Sequence, residues 1–335
     1  MTNKKNALFV VIVTYGSYDR FINLKKTITS VVKGGAKKIF LVNNGANYNL
    51  EKEINNISES KYIQIRTLNK NYGSLIGFKT GIKTALEDKE VNDNDYILIL
   101  DDDVLLDENM LSNLRDLEKS KSLLKEKHIW SLYREGRDQT FEKNYDRSAE
   151  FYANSIAAFS VFKSRKKTRK MRKDKNIATP FFIPWAGTLI LKKDFACISI
   201  PNEEYFVYED DAAFSINVRK SGYEIYRSKK LKLKESSESW FENKGTAKSG
   251  YKLYYDDKTN PGRFLYKIRN NIFLIKHELL TNKVVFCFNI VIFVVAGFFK
   301  YGLPEKHKYL KIKELIKAII NGLRGDLGKN EKWLL

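Results

Sequence analysis

Cysteine and histidine are scarce in this sequence, which has two cysteines and three histidines among 335 residues. Cys197 and Cys287 lie far apart and lack the spacing of a metal-ligand pair, so they offer no disulfide framework and suit a reducing compartment. We interpret His128, His277 and His307 as structural or surface residues. The composition therefore excludes a small scaffold held together by disulfides.

Long apolar runs are also lacking. The segment "VVFCFNIVIFVVAGFF" at 284–299 has sixteen residues interrupted by Asn289 and Gly297, which is shorter than the roughly 20 residues that span a bilayer. The N-terminal stretch "MTNKKNALFVVIVTYG" resembles a signal peptide, but no small-residue cleavage site follows its apolar run. We interpret that run as the first buried strand.

Acidic residues are outnumbered by basic ones. Sixty Lys and Arg stand against forty Asp and Glu, which gives a formal net charge of +20. Such a charge favours a polyanionic partner or an anionic surface. Nucleic acid, anionic lipid and diphosphate-bearing substrates are all compatible with it.

Apolar runs alternate with helical stretches in the first third of the chain. Continuous apolar runs are typical of parallel strands that are covered on both faces, and strands separated by helices predict a mostly parallel α/β sheet. Ligands of such sheets bind at the carboxyl ends of the strands. The predicted strands are 7–14, 37–45, 62–69 and 95–103, and the predicted helices are 20–33 and 75–86.

Three consecutive aspartates, Asp101, Asp102 and Asp103, follow the apolar residues of the fourth predicted strand in "LILDDDVLLDENM". A divalent cation such as Mg²⁺ or Mn²⁺ would neutralise this cluster, since both ions prefer oxygen ligands. Such an ion also bridges diphosphates. The alternative is a polar turn with an aspartate capping the next helix.

The C-terminal region predicts a membrane-associated helical part. Within "YLKIKELIKAIINGLRGDLGK", apolar residues recur at helical spacing with lysines on the other side, and the apolar segment 284–299 precedes it. A basic amphipathic helix beside an apolar segment suits an anionic membrane surface. Ordinary core helices are the alternative. We expect a catalytic domain at 1–260 and this helical region at 261–335.

Four motifs give the chain a resemblance to family 2 glycosyltransferases of the GT-A fold, particularly bacterial galactofuranosyl- and rhamnosyltransferases. The resemblance covers nearly the whole chain and is strongest from residue 7 to about 235. "VVIVTYG" is similar to the strand that holds the nucleotide base, which implies Thr14 and Tyr15. "LVNNG" is similar to the second strand, with Asn43 and Asn44 near the base.

The other two motifs extend the resemblance. "NKNYGSLIGFKTGI" has the family's asparagine and glycine pattern at Asn71, Gly73, Gly77 and Gly81. "DDDV" stands where the family has its DxD motif. The resemblance thus implies Asp101 and Asp103 as the pair that binds metal and sugar nucleotide, with Asp102 beside them.

An acidic motif, "YEDDAAF", is similar to the family segment whose carboxylate deprotonates the acceptor in an inverting displacement. The resemblance implies Asp211 as this base, with Asp210 as the alternative and Glu209 near the acceptor. Trp185 and Gly187 in "PWAGTLI" resemble the acceptor-side wall, where an aromatic ring can stack on a sugar.

The sequence departs from the family at one metal ligand. Family members often supply a histidine after the glycine that follows the acidic motif, whereas this chain has "LKLKESSESW" with Glu235 at the corresponding place. Glu235 is therefore the predicted third oxygen ligand. The metal remains a divalent cation, Mn²⁺ or Mg²⁺.

The prediction that follows is an inverting, metal-dependent glycosyltransferase of GT-A fold, Rossmann-like, with a mostly parallel sheet flanked by helices. It would transfer galactofuranose or rhamnose from a UDP- or dTDP-sugar to a glycan or polyprenyl-diphosphate-linked acceptor. We expect it in the cytoplasm, peripheral at the inner face of the cell membrane, with no nucleic-acid partner.

Two other protein classes compete with this prediction. A haloacid-dehalogenase-like phosphatase also uses Asp-x-Asp after a strand, but its motif ends the first strand and here a long stretch precedes it. A nucleic-acid-binding protein would explain the basic charge and the run "KSRKKTRKMRKDK" at 163–175, but no recognised nucleic-acid motif occurs and the acidic clusters oppose phosphate binding.

Overall fold

A computed structural model gives the structure of the protein. It describes residues 6–119, 124–135, 137–138, 141, 144–162, 168–172, 174–201, 204–236, 250–255 and 261–333. In the basic run 163–175, residues 163–167 and 173 lie outside these ranges, and so part of that sequence feature cannot be placed.

Contacts divide the chain into two compact units that are interleaved in sequence. The first comprises Met1–Asp146, Met171–Pro201 and Phe214–Trp240, and the second comprises Arg147–Lys170, Asn202–Ala213 and Phe241–Leu335. The domain boundary at residue 260 stays a prediction.

The first unit is built on an eight-stranded sheet in the order β10-β12-β6-β11-β4-β1-β2-β3. Strands β3, β2, β1 and β4 are mutually parallel, and β11 is antiparallel to β4 and β6. The strands are β1 Leu8–Gly16, β2 Ala36–Ala46, β3 Ile63–Leu68, β4 Tyr96–Asp101, β5 Val104–Leu106, β6 His128–Ser131, β7 Tyr133–Arg134, β8 Tyr145–Arg147, β9 Arg169–Met171, β10 Ile177–Ala178, β11 Thr188–Leu191, β12 Glu224–Ser228 and β13 Lys232–Glu235.

Helices follow the strands in the first half of the chain. They are α1 Asp19–Lys33, α2 Leu50–Asn55, α3 Ser74–Glu87 and α4 Met110–Lys119, followed by the short α5 Ala149–Tyr152, α6 Lys192–Phe195 and α7 Asp210–Lys220; a 3₁₀ turn spans Ser58–Tyr62. The four predicted strands and two predicted helices are confirmed. The fourth strand ends at Asp101, and the two aspartates that follow form a turn.

The apolar runs of the sequence form the core of this unit. Residues Leu8 to Ile12 of β1 and Ile97 to Leu100 of β4 have no exposed surface. Strands covered on both faces cannot alternate apolar and polar side chains, which is why these segments are continuous apolar runs. The polar residues of β1 and β4 therefore lie only at the ends of these two strands.

Two glycines let α3 lie close to the sheet. A Cβ atom at Gly81 would be 2.3 Å from Val11 Cγ1, and one at Gly77 would be 2.7 Å from Val13 Cγ1. The other nearby atoms belong to β2, since Val42 Cγ2 would be 3.1 Å from a Cβ atom at Gly81 and Asn44 Nδ2 would be 3.2 Å from one at Gly77. Their role in the structure is helix-to-strand packing.

The second unit is helical. Its longer elements are α8 Gly250–Tyr255, α9 Gly262–Glu278, α10 Lys283–Gly297, a π-helical segment Phe298–Gly302 and α11 Lys308–Arg324. Its core is rich in aromatic side chains, among them Tyr254, Tyr255, Tyr266, Phe286 and Phe293. The predicted C-terminal helical region is therefore present.

Helix α10 and the π-helical segment form a continuous helix of 20 residues, Lys283–Gly302, which contains an 18-residue window with a mean hydropathy of 2.2. This helix is longer than the sixteen apolar residues in the sequence because it includes the flanking Lys283 and the turn up to Gly302. By length and composition it is long enough to cross a membrane.

Replacing Gly81 with alanine should lower the free energy of unfolding by about 1 to 3 kcal/mol, the usual cost of overpacking. Alanine forms helices better than glycine by about 1 kcal/mol, so a loss of stability isolates the clash with Val11. Urea denaturation measures the effect. Lys83→Ala on the exposed face of the same helix is the control and should be neutral. A Gly81→Ala protein as stable as the wild type would contradict the packing role.

Candidate active site

The aspartate cluster lies at the carboxyl end of the parallel part of the sheet. Asp101 is the last residue of β4 and is paired in register with Val13 of β1. Asp102 and Asp103 form the turn into β5, and the carbonyl oxygen of Asp103 accepts a hydrogen bond of 2.9 Å from the amide of Ser236. The cluster thus occupies the edge where ligands of parallel sheets bind.

Asp102 points into the protein. Its side chain is 1% exposed and accepts hydrogen bonds from Thr14 Oγ1 at 2.6 Å and from Arg20 Nε at 3.0 Å, and Arg20 Nη2 contacts its other oxygen. Burial raises the pKa of Asp102, while Arg20 and Thr14 act in the opposite direction. This carboxylate and the Thr14 hydroxyl are therefore engaged within the protein.

Arg20 connects this ion pair to Tyr15. Its guanidinium carbon lies 4.3 Å from the centre of the Tyr15 ring, a distance at which a cation and an aromatic face attract each other. Tyr15 itself is partly exposed at the end of β1. Arg20 thereby fixes the position of the aromatic ring that the sequence assigns to the nucleotide base.

The carboxylates of Asp101 and Asp103 differ from that of Asp102. Neither accepts a hydrogen bond from any residue that the structure describes. Burial raises the pKa of the Asp101 carboxyl to about 7, the charges of Asp103 and Asp102 add to the rise, and Arg134 opposes it. Two adjacent carboxylates without donors have a net attraction for a cation.

Glu235 is held by two arginines. Its Oε1 lies 2.9 Å from Arg134 Nη2 and 3.2 Å from Arg137 Nε, and its side chain is 13% exposed. A carboxylate paired in this way already has its charge compensated. The structure pairs Glu235 with two arginines, and its role as a third metal ligand stays a prediction.

A divalent cation fits this site with two protein ligands. Among the residues that the structure describes, no group of three His, Cys, Asp or Glu side chains could hold a metal ion. Asp101 and Asp103 nevertheless present oxygen atoms, the ligand type that Mg²⁺ and Mn²⁺ prefer. Mg²⁺ is often bound through one or two carboxylates plus substrate phosphates.

Asparagines connect the end of β2 to the loop before α3. Asn44 Nδ2 donates to the Gly73 carbonyl at 2.9 Å, and Asn44 Oδ1 accepts from the Tyr72 amide at 3.0 Å. Asn71 Oδ1 accepts from the Gly73 amide at 2.8 Å, and Asn43 Oδ1 accepts from the amide of Ala46 at 2.9 Å. These side chains shape the turns at this edge of the sheet.

Trp185 lies in the core of the first unit. It is 4% exposed, and its ring centre lies 5.5 Å from that of Phe78 and 4.6 Å from that of Phe214. Gly187 has a φ of +93°, and its amide donates to the Ile99 carbonyl at 2.8 Å. Both residues support the sheet, and the Trp185 ring is covered by two phenylalanines rather than open to a sugar.

The acidic motif lies in the second unit, at the start of α7. Asp210 is 2% exposed, whereas Asp211 is partly exposed and its Oδ1 accepts from the Ala212 amide at 2.8 Å. Acidic residues in the first turn of a helix are stabilised by the helix dipole. Asp211 is therefore the more accessible of these two aspartates.

Glu209 precedes this helix in a strained backbone. Tyr208 and Glu209 have φ values of 67° and 65°, a left-handed conformation that is uncommon for residues other than glycine. Glu209 Oε2 accepts from Asn271 Nδ2 at 2.8 Å. Burial raises the pKa of Glu209, and Lys267 and Asn271 oppose the rise. Strain of this kind persists where the surroundings hold it, often at functional sites.

The sequence did not point to Arg20, Arg134, Arg137 or Asn271. Arg20 is 82 residues from Asp102, and Arg134 is 101 residues from Glu235. No local motif marks such pairs. The only available signal was the excess of acidic residues at strand ends. These residues need positively charged partners, and sequence spacing does not identify which side chains supply the charge.

Residues 9–123 match the sequence profile of the family described as Glycosyl transferase family 2. The match covers about a third of the chain. It supports the expected enzyme class, a glycosyltransferase, and it includes the edge of the sheet with the aspartate cluster. The match does not identify which sugar is transferred. No curated protein matches the chain.

Solved structures are similar to this chain at low sequence identity. The crystal structure of GalNAc-T7 with UDP, GalNAc and Mn²⁺ is 12% identical with a TM-score of 0.51, covering 81% of this chain and 48% of that one. S. aureus TarS is 12% identical with a TM-score of 0.48, covering 93% and 49%. The chain thus spans about half the length of either protein. The GT-A fold is confirmed.

Asp101→Asn should make the stability of the metal-free protein less dependent on pH. In the wild type, the folded carboxyl keeps its proton up to about pH 7 and the unfolded one loses it near pH 4, so stability falls as pH rises from 4 to 7 and stays low above. In EDTA, the variant should be more stable at pH 8, on the order of 2 kcal/mol, with the difference vanishing near pH 4. Urea denaturation at both pH values measures it. A constant difference would contradict the raised pKa.

Proposed function

We propose that the protein is an inverting, metal-dependent glycosyltransferase that moves a sugar from a nucleotide diphosphate to an acceptor hydroxyl. The observation that carries the proposal is the aspartate turn within the segment that matches the family 2 profile. There, among the residues that the structure describes, none donates a hydrogen bond to the carboxylates of Asp101 and Asp103, while Asp102 is turned inward. This turn lies at the carboxyl edge of the sheet, where a nucleotide donor would bind.

The donor is a UDP- or dTDP-sugar. The crystal structure of GalNAc-T7, whose fold this chain shares, contains UDP and Mn²⁺. Asp101 and Asp103 would hold the divalent cation, which would supply positive charge to the diphosphate leaving group. Tyr15, positioned by Arg20, faces the base, and Arg134 adds a fixed positive charge beside Asp101.

Asp211 is the general base in this proposal. It accepts the proton of the acceptor hydroxyl while the acceptor oxygen bonds to the anomeric carbon from the face opposite the diphosphate. The bond between that carbon and the diphosphate oxygen breaks, which inverts the configuration. The greater exposure of Asp211 compared with Asp210 supports its role, and Glu209 would lie near the acceptor.

The acceptor is a glycan or a polyprenyl-diphosphate-linked sugar, and the transferred sugar is galactofuranose or, second, rhamnose. The net charge of +20 supports a diphosphate-bearing acceptor and a position in the cytoplasm at the inner face of the cell membrane. Nucleic acid is not an expected partner, because the acidic edge of the sheet would repel its phosphates.

Calorimetric titration with UDP and with dTDP, each with and without Mn²⁺, should show metal-dependent binding of one of the two nucleotides. Asp103→Ala should reduce this binding at least tenfold, because it removes one of two carboxylate ligands. Glu235→Gln is the matched control: it keeps an acceptor for Arg134 and should leave the metal dependence unchanged. If it abolished metal dependence and Asp103→Ala did not, Glu235 rather than Asp103 would be the ligand.

Asp211→Asn should lower the transfer rate at least a hundredfold, the usual contribution of a general base, with donor affinity nearly unchanged. Chromatographic detection of product measures the rate, and calorimetry measures donor binding. Asp210→Asn and Glu209→Gln are the comparison variants. If Asp210→Asn were inactive and Asp211→Asn fully active, the base would be Asp210.

A further inference from the structure

One face of α10 is apolar and exposed. The exposed fractions are 78% for Val284, 46% for Phe288, 56% for Val291 and 44% for Val295. At 3.6 residues per turn these side chains fall within an arc of about 60°. Phe299, 63% exposed, continues the series into the π-helical segment. A contiguous apolar face of this kind marks an interaction site.

The opposite face of α10 is occupied by the unit's own core. Phe286, Asn289, Phe293 and Gly297 are buried. A Cβ atom at Gly297 would be 2.0 Å from the Tyr251 ring, and the Tyr251 hydroxyl donates to the Phe293 carbonyl at 3.0 Å. Helix α10 therefore has one side packed against protein and one side open.

Asn289 of α10 holds a neighbouring loop by hydrogen bonds. Its Nδ2 donates to the Asn154 carbonyl at 2.8 Å and to Ser160 Oγ at 3.0 Å, and its Oδ1 accepts from the Val161 amide at 3.1 Å. The loop held in this way presents Val161, 47% exposed, and Phe162, 60% exposed. We call the exposed apolar residues of α10, the π-helical segment and this loop the apolar face.

Phe162 completes the apolar face next to α10. Its ring centre lies 5.4 Å from that of Phe288 although both rings are exposed. Asn289, a polar residue in the middle of the apolar helix, thus holds the loop that brings Val161 and Phe162 beside the helix. The apolar face therefore consists of residues from a helix and a loop, and hydrogen bonds within the fold hold the two together.

Lysines stand at both ends of the apolar face, and basic residues prevail in the sequence that follows it. Between residues 283 and 324 the sequence has eight Lys and Arg against two Glu. Lys283 and Lys300, both exposed, stand at the two ends of the apolar series. An apolar surface with a basic border complements anionic lipid headgroups above acyl chains, and lysine side chains reach the headgroup level from such positions.

We propose that the apolar face binds one leaflet of a bilayer containing anionic lipids, with α10 lying in the plane of the membrane. The in-plane orientation follows because only one side of the helix is available to lipid. Burial of several large side chains supplies the affinity, and the lysines supply a dependence on anionic lipid. This inference does not depend on which reaction the protein catalyses.

Co-sedimentation of the full chain with vesicles tests the proposal. The wild type should bind vesicles of phosphatidylcholine with phosphatidylglycerol more tightly than vesicles of phosphatidylcholine alone. Phe288→Glu should weaken binding to the former roughly tenfold or more, and Phe162→Glu should act in the same direction. The matched control is Ile22→Glu, an equally exposed apolar residue of the first unit (57%), which should bind like the wild type.

Circular dichroism and nucleotide titration identify variants that are merely misfolded, since a folded variant keeps both the helical signal and donor binding. Wild-type protein that stays in the supernatant with both kinds of vesicle would overturn the proposal. Equal losses in Ile22→Glu and Phe288→Glu would do the same. So would a wild-type dimer, seen by sedimentation velocity, that Phe288→Glu converts to monomer without any vesicle binding.

A spin label tests the orientation. Val291→Cys in a Cys197→Ser, Cys287→Ser background carries one nitroxide on the apolar face, since the chain has no other cysteines. Accessibility measurements on vesicle-bound protein should place the label about 5–10 Å below the headgroup boundary. A label at the bilayer centre would contradict the in-plane orientation and indicate a helix that crosses the membrane.

Discussion

The ion pair between Arg20 and Asp102 is the interaction on which the aspartate turn at the carboxyl edge of the sheet depends. It joins the start of α1 to the turn after β4, and the same carboxylate accepts from Thr14 on β1. A buried carboxylate without these donors would cost several kcal/mol. Arg20 and Thr14 hold the Asp102 carboxylate, whereas the carboxylates of Asp101 and Asp103 accept no hydrogen bond from the residues that the structure describes. The spacing of Asp101 and Asp103 is therefore set by a residue that need not touch substrate.

Much of the first unit could be predicted because its information is local. Continuous apolar runs marked β1, β2 and β4, and the alternation with helices marked the parallel sheet. The sequence could not predict which of the three aspartates is paired within the protein, because the partner of Asp102 is Arg20, 82 residues away. Glu235 is a second example. Its place in the sequence predicted a metal ligand, but its ion pairs with Arg134 and Arg137, which are distant in sequence, could not be predicted.

Trp185 and the glycines of α3 illustrate a second limit. An aromatic residue next to a glycine can line a pocket or fill a core, and sequence spacing is the same in both cases. Here Phe78 and Phe214 cover the Trp185 ring, and Val11 and Val13 fill the space beside Gly81 and Gly77. Tertiary packing decides between the two roles, and packing is a property of the assembled layers.

The glycine contacts of the helical unit have an entropic consequence. A Cβ atom at Gly322 of α11 would be 2.3 Å from the Arg269 carbonyl oxygen of α9, just as Gly297 touches the Tyr251 ring. Helices locked at backbone distance are already ordered before they meet any partner. Unlike an amphipathic segment that folds as it adsorbs, a helical unit packed in this way would lose little conformational freedom on binding a surface. Its far-ultraviolet spectrum would then be the same with and without lipid.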